Sequence, residues 1–314
     1  MAVSDLATTS DTYAGSARRW PITRLLEDER WLAFVLLLPT MVVLGLFIAY
    51  PFVKGVLLSV TDAKVGVPGS FVGMQNFVLL LNDSIFRVAV WNTVVYTAVT
   101  TVFKLALGLW LALLLNRHFK GKALTRAFIL LPFIIPTVLS TFAWKWMFDP
   151  TFSVINWTLF RFGLIGSRIN WLGDPNLALI SVIIVNIWRG VPFYAISLLA
   201  GLQTINPELH DAAAIDGARP WQRFWYVTWP LLLPVTMVVV LFSVIQTFAD
   251  FQLVYVLTGG GPANATQLFA TYAYQIGVGT GLLSQGAAIS LAMFPVLFVV
   301  VIAQLLYIRR VETL

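Results

Sequence analysis

Apolar residues in this chain gather into stretches too long for the strands or amphipathic helices of a soluble core. Six of them, at 31–52, 88–115, 126–148, 176–200, 231–257 and 284–308, match or exceed the roughly 20 residues needed to cross a bilayer's hydrocarbon core. Each is expected to cross once, which predicts an all-α membrane protein with six transmembrane helices. The first 16 residues are polar and carry no apolar h-region, so no signal peptide is expected and the first stretch should stay in the protein. The expected organisation is a tail (1–30), a first helix with an outer loop (31–87), a core of five further helices (88–308) and a short end (309–314).

Composition removes the main alternatives. The chain is 59% hydrophobic and only 11% charged, with a mean hydropathy of +0.85, whereas globular domains carry about 25% charged residues. That excludes a soluble enzyme, a disordered chain and a nucleic-acid module. The absence of cysteine excludes a disulfide framework, a thiolate metal site and a cysteine nucleophile.

The net charge of +6 matters through its placement. Arg18, Arg19, Arg24, Arg30, Arg117, Lys120, Lys122, Arg126, Arg219, Arg223, Arg309 and Arg310 fall on the side of the termini and the even-numbered loops. Only Lys54, Lys64, Arg87, Lys145, Arg161 and Arg168 fall opposite. Cytoplasmic loops are enriched in Lys and Arg, so both termini are expected in the cytoplasm. Trp144, Trp146, Trp157 and Trp171 cluster around the second outer loop, as interfacial aromatics do.

The longest inner loop, 201–230, is too polar to cross the membrane yet favours helix. Asn206-Pro207-Glu208 sets a capping residue before a proline at a first helical position, Ala-rich sequence follows to Ile215, and Gly217 stops it. A second short helix is expected from Pro220. A solvated connector or an interfacial amphipathic helix would share these traits.

Here the residues carry a resemblance. Asp211-Ala212-Ala213-Ala214-Ile215-Asp216-Gly217-Ala218, followed by Val227 and Pro230, resembles the EAA loop of binding-protein-dependent ABC transporter permeases, with Asp211, Val227 and Trp229 replacing that pattern's Glu, Ile and Leu. Phe71-Val72-Gly73-Met74-Gln75-Asn76-Phe77, Asn92-Thr93 and Leu257-Thr258-Gly259-Gly260-Gly261-Pro262 resemble the carbohydrate-uptake permeases of the maltose or glycerol-3-phosphate type. By itself the glycine run also reads as a tight outer turn needing positive φ.

The resemblance implies the type I ABC importer permease fold and a bacterial inner-membrane protein. It implies a second, usually non-identical permease subunit, two ATPase subunits that carry ATP and Mg, and a periplasmic or lipid-anchored substrate-binding protein. It implies that 201–230 presents a short coupling helix to a groove in the ATPase, with Asp211, Ala212, Ala213, Ile215, Asp216, Gly217 and Ala218 at the contact. It further implies a small sugar as cargo, with a polyol phosphate or other anionic solute as the alternative.

No ATP site is expected on this chain. Its one Gly-Lys pair, Gly121-Lys122, is followed by Ala123 and has Asn116 where a P-loop needs its first glycine, and 277–281 is glycine-rich without dinucleotide-binding spacing; both are expected to be loops. His118 and His210 lack acidic companions at metal spacing, so no cofactor or metal is expected on this chain, and no catalytic residue. Away from the ends of the apolar stretches Lys104, Arg189 and Asp250 are the charged residues, each costly in hydrocarbon and therefore expected to face protein or water. Helical spacing groups Asn186, Arg189 and Phe193 on the fourth stretch and Gln246 and Asp250 on the fifth. With Trp188, Phe248 and Gln252 they supply the hydrogen-bonding and aromatic groups that recognise sugars. The competing reading is structural, with Arg189 paired to Asp250 and polar side chains joining helices. Pro192 is expected to bend the fourth helix. A lone secondary carrier would need titratable acids in the membrane, where Asp250 stands alone.

Overall fold

The computed structural model describes residues 29–312, with side chains from 30 to 307. The expected tail 1–30 lies almost wholly outside the described residues, as do the side chains of Arg309 and Arg310. Among the described residues all repeating structure is helical; the only β pairings are two isolated bridges, Thr61 with Phe71 and Lys64 with Val67.

Residues up to Lys54 form one unit and those from Gly55 onward a second. The first helix, α1 (Arg30–Ser59), runs from one into the other. From Trp31 to Phe52 it carries apolar side chains on every side, Leu36, Phe47 and Ile48 among them. A helix hydrophobic all round belongs in a membrane.

The second unit continues with α2 (Gln75–Asn82), α3 (Ser84–Asn116), α4 (Lys122–Ile134), α5 (Thr137–Met147), α6 (Val154–Arg161), α7 (Pro175–Gln203), α8 (Pro207–Ile215), α9 (Pro220–Phe248), α10 (Gln252–Leu257), α11 (Phe269–Tyr274) and α12 (Leu283–Glu312). Five helices, α1, α3, α7, α9 and α12, are long and apolar enough to cross a bilayer, and α4 with α5 form a sixth hydrophobic stretch bent by 90°.

Two of the six stretches depart from a simple crossing. The third breaks at Ile135-Pro136. The proline ring forces its predecessor out of the helical region, and Ile135 sits at φ −63°, ψ 130°. The fifth ends at Phe248, and a new helix starts at Gln252. Asp250 lies in the gap and accepts the Leu253 amide at 3.4 Å, a local side-chain bond that competes with helix continuation. At its other end this helix begins at Pro220, so the expected second short helix is the start of the crossing itself, continued through a π segment at Phe224–Thr228. α7 stays helical through Pro192.

The densest packing joins α3 to α7, with α9 against both. In lipid, helices gain nothing from leaving water, so close contact and hydrogen bonds decide which faces meet. Tyr194, Leu198, Leu202, Leu115 and Leu232 interlock in one buried cluster, and Tyr96, Val182, Val185, Leu253 and Leu257 in another. Two hydroxyls on α3 are satisfied within the helix: Thr93 donates to the Ala89 carbonyl and Thr100 to that of Tyr96, both at 2.7 Å.

The motif residues act as clamps. Asn76 donates to the carbonyls of Ser59 and Thr61 at 2.8 and 2.7 Å, closing the loop after α1. Asn92 donates to the carbonyls of Ala265 and Gln267, while the Thr93 hydroxyl accepts the Phe269 amide. The glycine run before them turns with Gly259 at φ 63° and Gly260 at φ 90°. Asp83 caps α3 through the Ile85 amide and accepts the Tyr272 hydroxyl; burial first, and the carboxylate second, hold that phenol's pKa above its ordinary value. The 277–281 segment, expected as a loop, is helical through Gly279, and it lies so close to α12 that a Cβ on Gly286 would strike the Gly277 backbone.

Candidate functional site

The break in the fifth stretch opens a cavity of about 390 Å³ between α3, the α4–α5 corner, α7 and α9. Lys104, Asn186, Arg189, Phe193, Gln246, Asp250 and Gln252 line it, with Phe133, Thr137, Ser243, Thr247 and Phe251. Its polar groups fall into a braced set and an unengaged set.

The braced set joins three helices. Asp250, only 9% exposed, accepts the Tyr96 hydroxyl at 2.8 Å and the Asn186 amide at 3.0 Å through the same carboxylate oxygen. Lys104, 3% exposed, donates to Thr247 at 2.8 Å and to Ser243 at 3.4 Å. Its stem crosses Gly190 of α7, where any Cβ would strike the lysine methylenes. An unpaired buried polar group costs about 1–3 kcal/mol, so this arrangement holds each ion in a shell of neutral partners. Asp250 takes its hydrogen bonds from Tyr96, Asn186 and the Leu253 amide, and Arg189 acts on it only through charge attraction, without a hydrogen bond.

The unengaged set is two atoms of cavity-lining side chains. Asn186 Oδ1 and Arg189 Nε, less than one turn apart on α7, are buried and hydrogen-bonded to nothing. Around them stand apolar rings. Phe193 stacks on Phe133 at 5.9 Å and lies 5.3 Å from Phe242, and Phe251 stacks on Tyr255 at 4.9 Å. An acceptor and a cationic donor framed by aromatic faces suit a hydroxylated ring with some negative charge.

Two of the sequence-expected residues lie elsewhere. Trp188 meets Trp144 edge to face at 5.4 Å and lines an apolar groove with Phe103, Ile184 and Pro192. Phe248 is 4% exposed and packs on Phe269 at 5.7 Å. Both follow from helical geometry. Trp188 is one residue, about 100°, from Arg189, and Phe248 is two residues from Gln246. The cavity also uses residues not grouped with it beforehand. Lys104 was legible as a charge inside a stretch; Phe133 and Thr137 become neighbours only through the Pro136 corner.

The second assembly is the elbow of 201–230. Asn206 caps α8 through the Glu208 amide at 3.1 Å, Pro207 opens it, and Gly217 at φ 79° turns the chain. Glu208, Asp211, Ala212 and Ile215 form one outward stripe, and Ile215 is 86% exposed. Asp216 and Gly217 are exposed beyond it, whereas His210, Ala213 and Ala218 are half-buried. Ile215 stands on this nine-residue helix between exposed carboxylates at Asp211 and Asp216. No group of acidic, histidine or cysteine side chains able to hold a metal occurs among the described residues.

Known proteins give the same picture. Residues 104–313 match the family described as binding-protein-dependent transport system inner membrane component. The trehalose/maltose transport system permease protein MalF of Thermococcus litoralis is 35% identical over 87% of this chain and 92% of its own. The sulfoquinovosyl glycerol transport system permease protein SmoG of Agrobacterium fabrum is 36% identical over 93% and 94%. Among solved structures, a chain of a bacterial ABC transporter involved in import of the acidic polysaccharide alginate superimposes with a TM-score of 0.79 at 26% identity, covering 91% of this chain and 99% of that one. The chain belongs to the family of binding-protein-dependent transport system inner membrane components, and it is a multi-pass transmembrane subunit of an ABC importer, not an enzyme.

Proposed function

We propose that this chain forms half of the pathway through which an ATP-driven importer moves a sugar or glycoside across the bacterial inner membrane, with both termini and α8 on the cytoplasmic side. Its partners in this reading are a second, non-identical permease, two ATPase subunits that bind ATP and Mg, and an extracytoplasmic binding protein that delivers the cargo. One observation carries the reading: the cavity leaves a buried acceptor, Asn186 Oδ1, and a buried cationic donor, Arg189 Nε, without protein partners beside Phe193. The relatives named for trehalose/maltose and sulfoquinovosyl glycerol support a glycoside as cargo. In the pathway the outward stripe of α8 receives the ATPase, Gly217 orients it, and α7 and α9, joined through the elbow, move with it.

An anionic glycoside or polyol phosphate is the second reading, favoured by two cations, Lys104 and Arg189, against the single carboxylate of Asp250 in the cavity wall. The test is purification of the assembled transporter. A separate ATPase should accompany this chain, its turnover should rise when loaded binding protein is added, and calorimetry on the binding protein should return a neutral or acidic sugar. Uptake into liposomes by this chain alone would overturn the reading.

A further inference from the structure

Beneath the cavity, at the end of α3, lies a pocket with different chemistry. Arg117 at the close of α3, Arg223 in the first turns of α9 and His210 on the inward face of α8 converge on a space of about 580 Å³, walled by Leu113, Trp221 and Phe224. Among the described residues no acidic side chain lines it. Arg223 Nε is buried and makes no hydrogen bond. A basic pocket without a carboxylate calls for an anion, and two guanidinium groups suit the oxygens of a phosphate.

The surroundings say where that phosphate comes from. Trp221, Phe224, Trp225 and Trp229 form a continuous ring cluster, with centroids 5.2 to 6.3 Å apart, and Trp221 and Trp225 are 69% and 43% exposed. Exposed indoles at the start of a membrane-crossing helix mark headgroup level. Leu113 carries the wall from there along α3 into its apolar length. A soluble anion would use the arginines and leave the apolar wall idle; an anionic lipid uses both.

We propose that this pocket binds the headgroup phosphate of an anionic phospholipid from the adjoining leaflet, with Arg117 and Arg223 as its ligands. Its contact with His210 places the lipid behind α8, opposite the stripe of Asp211 and Ile215. The lipid thereby ties α8 to the end of α3, and the anionic lipid content of the membrane sets how firmly the coupling helix is held. The inference depends on the proposed function only in calling that leaflet cytoplasmic and α8 a coupling helix.

The test uses the full chain in phosphatidylcholine nanodiscs containing traces of photoactivatable phosphatidylglycerol or photoactivatable phosphatidylcholine. The phosphatidylglycerol probe should label the segment 220–228, and the phosphatidylcholine probe should not. Arg117→Gln and Arg223→Gln should each weaken labelling about fivefold and together roughly thirtyfold. Arg161→Gln, outside the pocket, should leave it unchanged. If the double variant does not fold, the exposed Arg117→Gln alone decides. Equal labelling by both lipids, or labelling unchanged in the arginine variants, overturns the proposal. Displacement by millimolar inorganic phosphate would assign the pocket to a soluble anion, and loss of labelling when ATPase subunits bind would assign it to that protein; either also overturns it. Labelling needs no nucleotide, cargo or ATPase, so it succeeds or fails independently of the transport reading.

Discussion

The cavity at Asp250 and the elbow at Asp211 each place carboxylates near apolar surface, and they treat them in opposite ways. Asp250 is buried and shared among Tyr96, Asn186 and the Leu253 amide. Asp211 stands exposed on a helix that buries little beyond His210 and Ala213. The first carboxylate is completed within the chain because a bare ion in a membrane protein's interior is costly. The second is left to water, or to whatever docks there. The carboxylate in the cavity wall is finished inside the polypeptide, whereas the one on the elbow is left open. Substitutions at the two places should therefore fail differently.

The largest effect belongs to the elbow. Gly217 holds φ at 79°, a value closed to proline, whose ring fixes φ near −65°. Gly217→Pro should reduce uptake to background and uncouple the ATPase from loaded binding protein while the membrane helices remain inserted. Uptake assays on membranes with matched amounts of the variant check this, and normal uptake would remove α8 from the coupling path.

The next effect belongs to the cavity and falls on stability. Asp250→Ala strands the Tyr96 hydroxyl and the Asn186 amide, at about 1–3 kcal/mol for each buried group, so a loss of about 3 kcal/mol is expected. Asp250→Asn keeps an acceptor oxygen and should recover part of it. Thermal unfolding of the reconstituted complex separates the three proteins. Coincident melting curves would mean that Asp250 does not brace the helices.

This contrast also explains how much was readable in advance. Lengths of apolar sequence located the crossings, and Asn206-Pro207 with Gly217 placed the elbow helix to within a residue, because caps and positive-φ glycines are local signals. Hydropathy was blind to the bends. It read 126–148 as one crossing despite Pro136 and carried 231–257 across the gap at Asp250, since averaging over a window discards the single residue that breaks a helix. The cavity suffered the same loss. Arg189 and Gln246 were placed by periodicity on single helices, but Phe133 and Thr137 enter only through the corner at Pro136, and Trp188, one residue from Arg189, faces away.

A smaller effect tests the unengaged half of the cavity. Arg189 Nε has no hydrogen bond to lose, so Arg189→Gln should shift the melting temperature little while changing the KM for uptake about tenfold, the equivalent of roughly 1.4 kcal/mol. Trp188→Leu, about 100° round the same helix turn and facing a different groove, should leave KM alone. A destabilised Arg189→Gln with unchanged KM would move Arg189 into the structural set with Asp250.

The smallest expected effect is the most discriminating between the two regions. Ile215 is 86% exposed and contacts little of its own chain, so Ile215→Ser should alter the stability of the isolated chain by no more than about 0.5 kcal/mol, the usual range for an exposed site. If α8 seats in a groove of the ATPase, the same change removes an apolar side chain from that contact, worth about 1 kcal/mol or more, and should weaken binding of the ATPase subunits at least about fivefold. Measuring chain stability and subunit affinity on one variant divides the possibilities cleanly. Loss of affinity with intact stability assigns Ile215 to the partner. Loss of stability would mean that the stripe is covered by this chain itself, and the distinction between a finished cavity and an open elbow would fail at its most exposed residue.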